Sequence, residues 1–493
     1  MGSGVEFIYL LVFHKSMNKK KVVLVLIILL SLFLRLYGLE YSIYDHETVD
    51  PILRSQEILS GELYLGGFGG NQSFGPLLYY VLILPLLISK TIPFIYGFLG
   101  VLNTLSVIFL YFLLKSFFNE DIALVSTLLF AVSPWHIFYS RFVWNPNFLP
   151  LFVIIFFYFV FSAYYNRSKS GFLFSIFLFM VMLNFHLSPL AFFPIILMLF
   201  YKFRLDLRLL FLGFFILFLS LVPLFIFGDF STPIEVLNYT YSQNENTLFQ
   251  NFLEAIAIPV MLSTNFYGDY IFGNVILSDF FIFVSYFGTF LGLILMALTF
   301  IFLIRKKIQG SIILFLWLVL PVLFLLIRNK NISPHYYLIL FPVVFIYEGI
   351  FISSFFKKKI THYFLGIFIL IMILSNLLLV HTISLIGGTD GAYGISYENK
   401  KSAINFALEK NANIMFIGGI PSDYSYILVE EKMLSRAFVL KEIDELNILK
   451  GYILVDDYSQ VGQNFLKPHL KLVNFLFLNY PSEQIGKIKL IKV

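Results

Sequence analysis

What most limits the folds open to this chain is the recurrence of long apolar blocks free of charge, such as Val22 to Leu34 and Phe280 to Ile304. Such blocks approach the roughly 20 residues an α-helix needs to cross a hydrocarbon core. Lipid offers a bare backbone no hydrogen-bond partners, so these blocks are expected to be helical. Hydrophobic residues make up 59% of 493, charged residues 13%, and mean hydropathy is +0.86. Soluble domains carry roughly 25% charged residues, so water is not the solvent for most of this chain. The 62 Phe and 30 Tyr are assigned to packing and lipid-facing surfaces, and no aromatic stripe calls for a cofactor.

The formal net charge of +5 does not imply a nucleic-acid partner, because Lys and Arg cluster beside the apolar blocks. Clusters at Lys19 to Lys21, Lys115, Arg167 and Lys169, Lys202 to Arg208, Arg305 to Lys307 and Lys357 to Lys359 are expected on the cytoplasmic side. That rule assigns residues 1–21 to a cytoplasmic N-terminus, with Met17-Asn18-Lys19 reading as an ordinary start. It assigns a first outer loop to 40–92, an outer loop to 229–276, and everything past 385 to the outside. The first helix has no small-residue cleavage site and is expected to be retained. Pro76 to Ser89 is apolar but only about 14 residues long, too short to cross. Counting it as a crossing would turn every later basic cluster outward, so it is read as an outer juxtamembrane helix.

The expected architecture is therefore an α-helical polytopic membrane protein. About eleven spans are placed near 22–39, 93–117, 121–139, 147–165, 171–186, 188–203, 209–228, 280–304, 310–327, 336–356 and 361–384. Residues 22–385 form the transmembrane domain, and 386–493 a small extracytoplasmic α/β domain. Within the latter, 413–416, 451–455 and 487–493 read as strands, and 398–410 and 424–434 as helices. Compact loops and the absence of a retention signal in the tail favour a bacterial or archaeal plasma membrane.

Directly after the first helix comes Tyr44-Asp45-His46-Glu47-Thr48-Val49-Asp50. A carboxylate held at a membrane surface can take a proton from a hydroxyl, which makes Asp45 and Glu47 candidates for general-base work. Polar loops also contain acids for no catalytic reason. There is no cysteine, which removes disulfides, thiol nucleophiles and Cys-ligated zinc. No His-x-x-x-His pair suggests a metal site, and neither a Gly-rich phosphate loop nor a Gly-x-Ser-x-Gly elbow is present.

The order Arg35-Leu36-Tyr37-Gly38, Asp45-His46-Glu47, Gly75-Pro76-Leu77-Leu78-Tyr79-Tyr80, Ser133-Pro134-Trp135-His136, Ser140-Arg141-Phe142-Val143-Trp144-Asn145-Pro146-Asn147 and His335 to Pro342 resembles the C-type glycosyltransferases. That family includes protein O-mannosyltransferases and the lipid A aminoarabinose transferase. The resemblance runs over about residues 20–385 and lies in order and spacing. It implies the C-type glycosyltransferase fold and transfer of a sugar from a polyprenyl-phosphate-linked donor, with inversion, to a glycan, lipid or protein acceptor on the outer face. No metal or other cofactor is implied. Many members have adjacent Asp-Glu, whereas His46 stands between the acids here; Asp45 is favoured as base.

Arg141 is a candidate for gripping the donor phosphate, because a guanidinium can make paired hydrogen bonds to it; interfacial snorkelling is the alternative. Arg328, Lys330, His335 and Tyr336 form a second cationic group able to complete a phosphate site or merely to flank a helix. His46, His136, His186, His335 and His381 map to outer ends of spans, and His362 to an inner end. A polar cavity at the outer mouth explains that bias, with His46, Tyr79, His136, Asn145 and His186 on its wall, although histidines also favour interfaces in general. Two other readings stand beside the enzyme: a transporter or flippase of lipid-linked sugars, and a non-catalytic membrane scaffold. A transporter calls for polar or broken helices at mid-depth, where these spans carry almost no ionisable groups.

Overall fold

The computed structural model describes residues 19–62, 76–204, 206–215, 218, 271, 279–305, 311–328, 334–355, 358–389, 394–417, 421–432, 434–440, 451–455, 481–485 and 487–492. It shows a bundle of apolar helices followed by a mixed sheet. Helix α1 spans Lys19–Leu36, α2 His46–Leu59, α3 Leu77–Leu86 and α4 Ile92–Phe117. Next come α5 Glu120–Val132, α6 Pro134–Tyr139, α7 Leu149–Asn166, α8 Lys169–Phe185 and α9 Phe193–Lys202. Helices α10 Asp279–Arg305, α11 Ser311–Arg328, α12 Phe341–Ser354 and α13 Lys359–Ile386 follow among the described residues. Among the described residues, four stretches, Ile92–Phe117, Asn145–Asn166, Asp279–Phe302 and Lys359–Ile386, are long and apolar enough to cross a membrane, and the chain is a membrane protein.

Local chemistry sets the helix ends. The Asn119 side chain accepts from the Ile122 amide at 2.9 Å and opens α5. Ser168 does the same for α8 from the Gly171 amide at 3.0 Å. The region expected as one helix over 121–139 is two, α5 and α6, divided at Ser133-Pro134. Proline has no N–H to give the preceding turn and pushes its predecessor into extended geometry; Ser133 has φ −55° and ψ 119°. Three further expected spans open in 3-10 turns, Asn145–Phe148 before α7, Ser188–Phe192 before α9 and Pro334–Tyr337 before α12. Helix α3 has 10 residues, about 15 Å of rise, roughly half the thickness of a hydrocarbon core.

Helix α12 sits at the centre, with every residue from Phe341 to Ile350 buried, and packs along α5. Close approach explains the sequence there: a Cβ at Gly349 would stand 2.8 Å from the Ser126 backbone nitrogen, so only glycine allows the two helices to touch. Beside it, Trp317 of α11 stacks on Phe157 of α7 with ring centroids 3.7 Å apart and donates to the Ile339 carbonyl at 2.8 Å. At one end of the bundle Lys20 pairs with Asp121 at 2.7 Å and Lys115 with Glu120 at 3.6 Å. The other end of α1 leads into the acidic segment.

Past α13 the chain builds α14 Tyr397–Glu409, β1 Asn413–Ile417, α15 Ser422–Glu430, β2 Ala437–Leu440, β3 Gly451–Val455, β4 Ser482–Ile485 and β5 Ile488–Lys492. The sheet order is β2-β1-β3-β5-β4. Strand β1 pairs in parallel with β2 and β3, and β5 pairs antiparallel with β3 and β4. Three of these strands and both helices stand where the sequence places them. Strands β2 and β4 do not announce themselves: each has four residues, and β4 is polar and largely exposed at a sheet edge.

Candidate active site

Helix α1 ends at Leu36, and Gly38 turns the chain in the left-handed region at φ +64°. Carbonyls at this helix end, Gly38 O being shared with the Tyr41 amide at 3.1 Å, are taken by Arg141. Its Nη1 donates to Leu34 O at 3.2 Å and Tyr37 O at 2.6 Å, and its Nη2 to Gly38 O at 2.7 Å. A cation also suits the negative end of the helix dipole. Ordered in this way, the chain runs through a short 3-10 turn, Leu39–Tyr41, to Asp45.

Asp45 is the N-cap of α2. Its Oδ1 accepts from the Thr48 amide at 3.0 Å, and Thr48 Oγ1 accepts in return from the Asp45 amide at 3.0 Å, a capping box. The carboxyl also faces a cavity of about 80 Å³ lined by Ile43, Asp45, Glu47, Thr48, Phe138, Tyr139, Phe142 and Trp144. Both expected acids therefore reach one hollow opposite an aromatic wall. Burial lifts the Asp45 carboxyl above its ordinary range, while the charges of His46 and Lys400 and the Thr48 amide pull it back. Glu47, although exposed at the rim, is also lifted, first by the desolvating wall and then by the negative charge of Asp45.

Trp144 joins this hollow to a second polar group. Its indole centroid lies 4.3 Å from the His335 ring, which lies 4.2 Å from Tyr336 and 5.8 Å from His186. The Ser188 amide donates to His186 Nδ1 at 3.1 Å, so a neutral His186 carries its proton on Nε2, a donor. The structure thus brings Asp45 and Glu47 to one cavity with Trp144, and sets Trp144 against His335, which in turn meets Tyr336 and His186. Lys330 and the side chain of Arg328 lie outside the described residues, as does outer loop 229–276 apart from Ile271.

The remaining candidates stand elsewhere. His136 is wholly buried, stacked on Phe130 at 4.0 Å, with Nδ1 2.7 Å from Arg35 Nη2 and Nε2 3.1 Å from Asn103 Oδ1. It belongs to a polar centre in the bundle together with Arg35, which also donates to Ser31 Oγ at 2.7 Å and Ala131 O at 2.9 Å. Tyr79 is buried on α3, and Asn145 is half-buried at the start of a 3-10 turn. His46 is half-buried beside Asp45, its Nδ1 without a hydrogen-bond partner among the described residues. None of these five residues, Arg141 included, lines the Asp45 cavity. Among the described residues, no group of three His, Asp or Glu is arranged to hold a metal ion.

Sequence reasoning passes over Glu348, which is fully buried in α12 with neither carboxyl oxygen hydrogen-bonded among the described residues. It also passes over the wall residues Phe138, Tyr139 and Phe142; the Ser133 to Asn147 motif drew notice to their neighbourhood without showing which side chains face the acids.

In fold, the helical bundle with its acidic capped segment and C-terminal mixed sheet is similar to ArnT, an aminoarabinose transferase, from Cupriavidus metallidurans. Against its crystal structure bound to undecaprenyl phosphate, the TM-score is 0.59 at 10% identity, over 95% of this chain and 97% of that one. Against its apo state the TM-score is 0.60 at 10% identity, over 96% and 98% of the two chains. The archaeal oligosaccharyltransferase AglB from Archaeoglobus fulgidus, in complex with an inhibitory peptide and a dolichol-phosphate, superposes with a TM-score of 0.45 at 11% identity, over 97% of this chain and 74% of that one. No protein-family model matches the sequence, and no curated protein matches it.

Proposed function

We propose that this chain is a membrane glycosyltransferase that moves a sugar from a polyprenyl-phosphate-linked donor to an acceptor hydroxyl on a glycan, lipid or protein. The observation that carries the reading is the cavity where Asp45 and Glu47 face Trp144, whose indole also packs on His335. The fold supports it, since the ArnT crystal holds undecaprenyl phosphate.

In this mechanism Asp45 takes the proton of the acceptor hydroxyl as its oxygen forms a bond to the anomeric carbon. The bond from that carbon to the phosphate oxygen breaks with inversion, and polyprenyl phosphate leaves. Asp45 Oδ1 is engaged by the Thr48 amide, so the reacting oxygen is Oδ2. Glu47 assists at the rim. His186 Nε2, His335 and Tyr336 receive the departing phosphate with Arg328 and Lys330, where donors aimed at developing charge are most effective. Arg141 has its donors committed to the end of α1 and serves the site by fixing the chain that carries Asp45. About eleven crossings, a cytoplasmic N-terminus, an extracytoplasmic C-terminal domain and a plasma-membrane location complete the reading.

Transport of a lipid-linked sugar is the second reading, and Glu348, an ionisable group inside the bundle, is the observation in its favour. Transfer of labelled sugar from polyprenyl-phosphate donors to membrane acceptors, by the purified protein and its Asp45→Asn and Glu47→Gln variants, tests the enzyme. Turnover abolished by Asp45→Asn supports it. Absence of turnover in the parent, with flipping abolished by Glu348→Gln, sinks it in favour of transport.

A further inference from the structure

Two residues before Asp45, the backbone is gripped from both sides. From the bundle, the Tyr96 hydroxyl of α4 donates to Ile43 O at 3.0 Å. From the C-terminal unit, the Tyr397 amide donates to Ser42 O at 3.2 Å, and Ile43 forms an antiparallel bridge with Ser396. Tyr44 is fully buried, its ring edge-on to Tyr397 at 5.1 Å, and its hydroxyl donates to Asp423 O at 2.9 Å. Asp423 in turn accepts from Lys400 in an ion pair that is wholly buried.

A buried ion pair is weak evidence for stability, because desolvating two charges offsets most of their attraction, and such pairs are often replaceable by apolar side chains. The Lys400–Asp423 pair lies at the contact with the acidic segment, with Tyr44 as its link to Asp45. We infer that Lys400 and Asp423 are positioning residues for the reaction, holding Tyr44 and through it the Asp45 carboxyl in the cavity, so that the C-terminal unit is a working part of the site. This rests on the glycosyltransferase reading for its kinetic consequences but not for its geometry.

The charged and titratable groups facing Asp45 are His46 and Glu47 on α2, Tyr139 across the cavity, and Lys400 and Asp423 from α14 and α15. Lys400 favours the carboxylate, Asp423 opposes it, and the lysine has the larger effect. Removal of the lysine charge therefore leaves Asp45 harder to ionise.

The test uses the full chain in detergent or nanodiscs, with Tyr44→Phe, Lys400→Met, Lys400→Arg and the double Lys400→Met/Asp423→Leu. The double variant leaves no unpaired buried charge, so it reports even where the single one fails to fold. Two readouts are taken. One is sugar transfer, resolved into kcat and donor KM. The other is the pH midpoint of carbodiimide labelling at Asp45, read by peptide mass spectrometry, which needs no turnover. The inference expects Tyr44→Phe and Lys400→Met to lower kcat about tenfold with KM within twofold, a loss of about 1.4 kcal/mol. It expects the labelling midpoint to move in Tyr44→Phe, to rise in Lys400→Met, to rise less in the double variant, and to return in Lys400→Arg. Unmoved midpoints in folded Tyr44→Phe and double variants overturn it. A moved midpoint in a parent that transfers no sugar upholds the positioning and overturns the reaction class instead.

Discussion

The indole of Trp144 and the imidazole of His335 lie with ring centroids 4.3 Å apart, although 191 positions separate them in the chain (335 − 144). Through this contact the acids that follow α1 and the histidine group before α12 share one wall. Trp144→Ala is expected to lower kcat/KM about 10- to 100-fold by loosening both halves at once, whereas Trp144→Phe keeps an aromatic face and stays within a few-fold. Steady-state transfer kinetics check this; equal behaviour of the two variants would show that the wall has no part in the reaction.

Asp45 has two duties that one substitution can separate. Asparagine caps a helix about as well as aspartate, so Asp45→Asn should leave thermal stability within roughly 0.5 kcal/mol while lowering kcat at least about 100-fold. Asp45→Ala should lose the cap as well, costing about 1 kcal/mol more. Circular-dichroism melts beside activity assays distinguish the two duties.

The pH response follows from the same residue. Burial raises the Asp45 carboxyl above its ordinary 3.8, so between that value and the folded one the native state binds more protons than the unfolded state. Stability from this group is fully present below 3.8 and is lost as pH rises through the folded value. With Asp45 as the proposed base, activity is expected to require the carboxylate and to move the opposite way, falling as pH drops through the same window. An acid limb of the kcat/KM profile that disappears in Asp45→Asn residual activity identifies the group; a limb retained there assigns it to Glu47 or another acid.

Arg141 can be tested against its alternative role. Arg141→Met leaves the Leu34, Tyr37 and Gly38 carbonyls without these donors, a loss of about 2–4 kcal/mol. Gly38→Ala should cost about 1–3 kcal/mol, because its φ is +64° and a Cβ would stand 2.6 Å from Val380 Cγ1. If Arg141→Met instead raised donor KM at unchanged melting temperature, the guanidinium would belong to the phosphate.

Gly349→Ala should separate α12 from α5 and destabilise the bundle by about 1–3 kcal/mol, since the added carbon meets the Ser126 backbone and no rotamer relieves it. Ser126→Gly in the same chain should recover little of this loss. Recovery to parental stability would place the clash on the Ser126 hydroxyl alone.

Helices and the acidic segment were legible because each rests on a local signal: apolar length, flanking Lys and Arg, and the carboxylates of Asp45, Glu47 and Asp50 directly after the first helix. The site was legible only as two separate groups. Nothing near Trp144 in the sequence says that it touches His335, and nothing around Arg141 distinguishes a phosphate ligand from a clasp on helix-end carbonyls 103 to 107 residues away. Glu348 is masked by the apolar run around it. Lys400 and Asp423 lie 23 residues apart on two amphipathic helices where charge reads as ordinary solvent-facing decoration. Their pairing depends on how the sheet unit docks, which no local pattern encodes.

The bond from Tyr44 to Asp423 spans 379 residues, and that distance has a temporal meaning. At ordinary ribosome speeds the interval between the two is roughly 20 to 80 seconds. Throughout it the nascent membrane helices exist without the last grip on the acidic segment. If that grip positions Asp45 as inferred, a half-made chain is idle until the segment bearing Asp423 has been made.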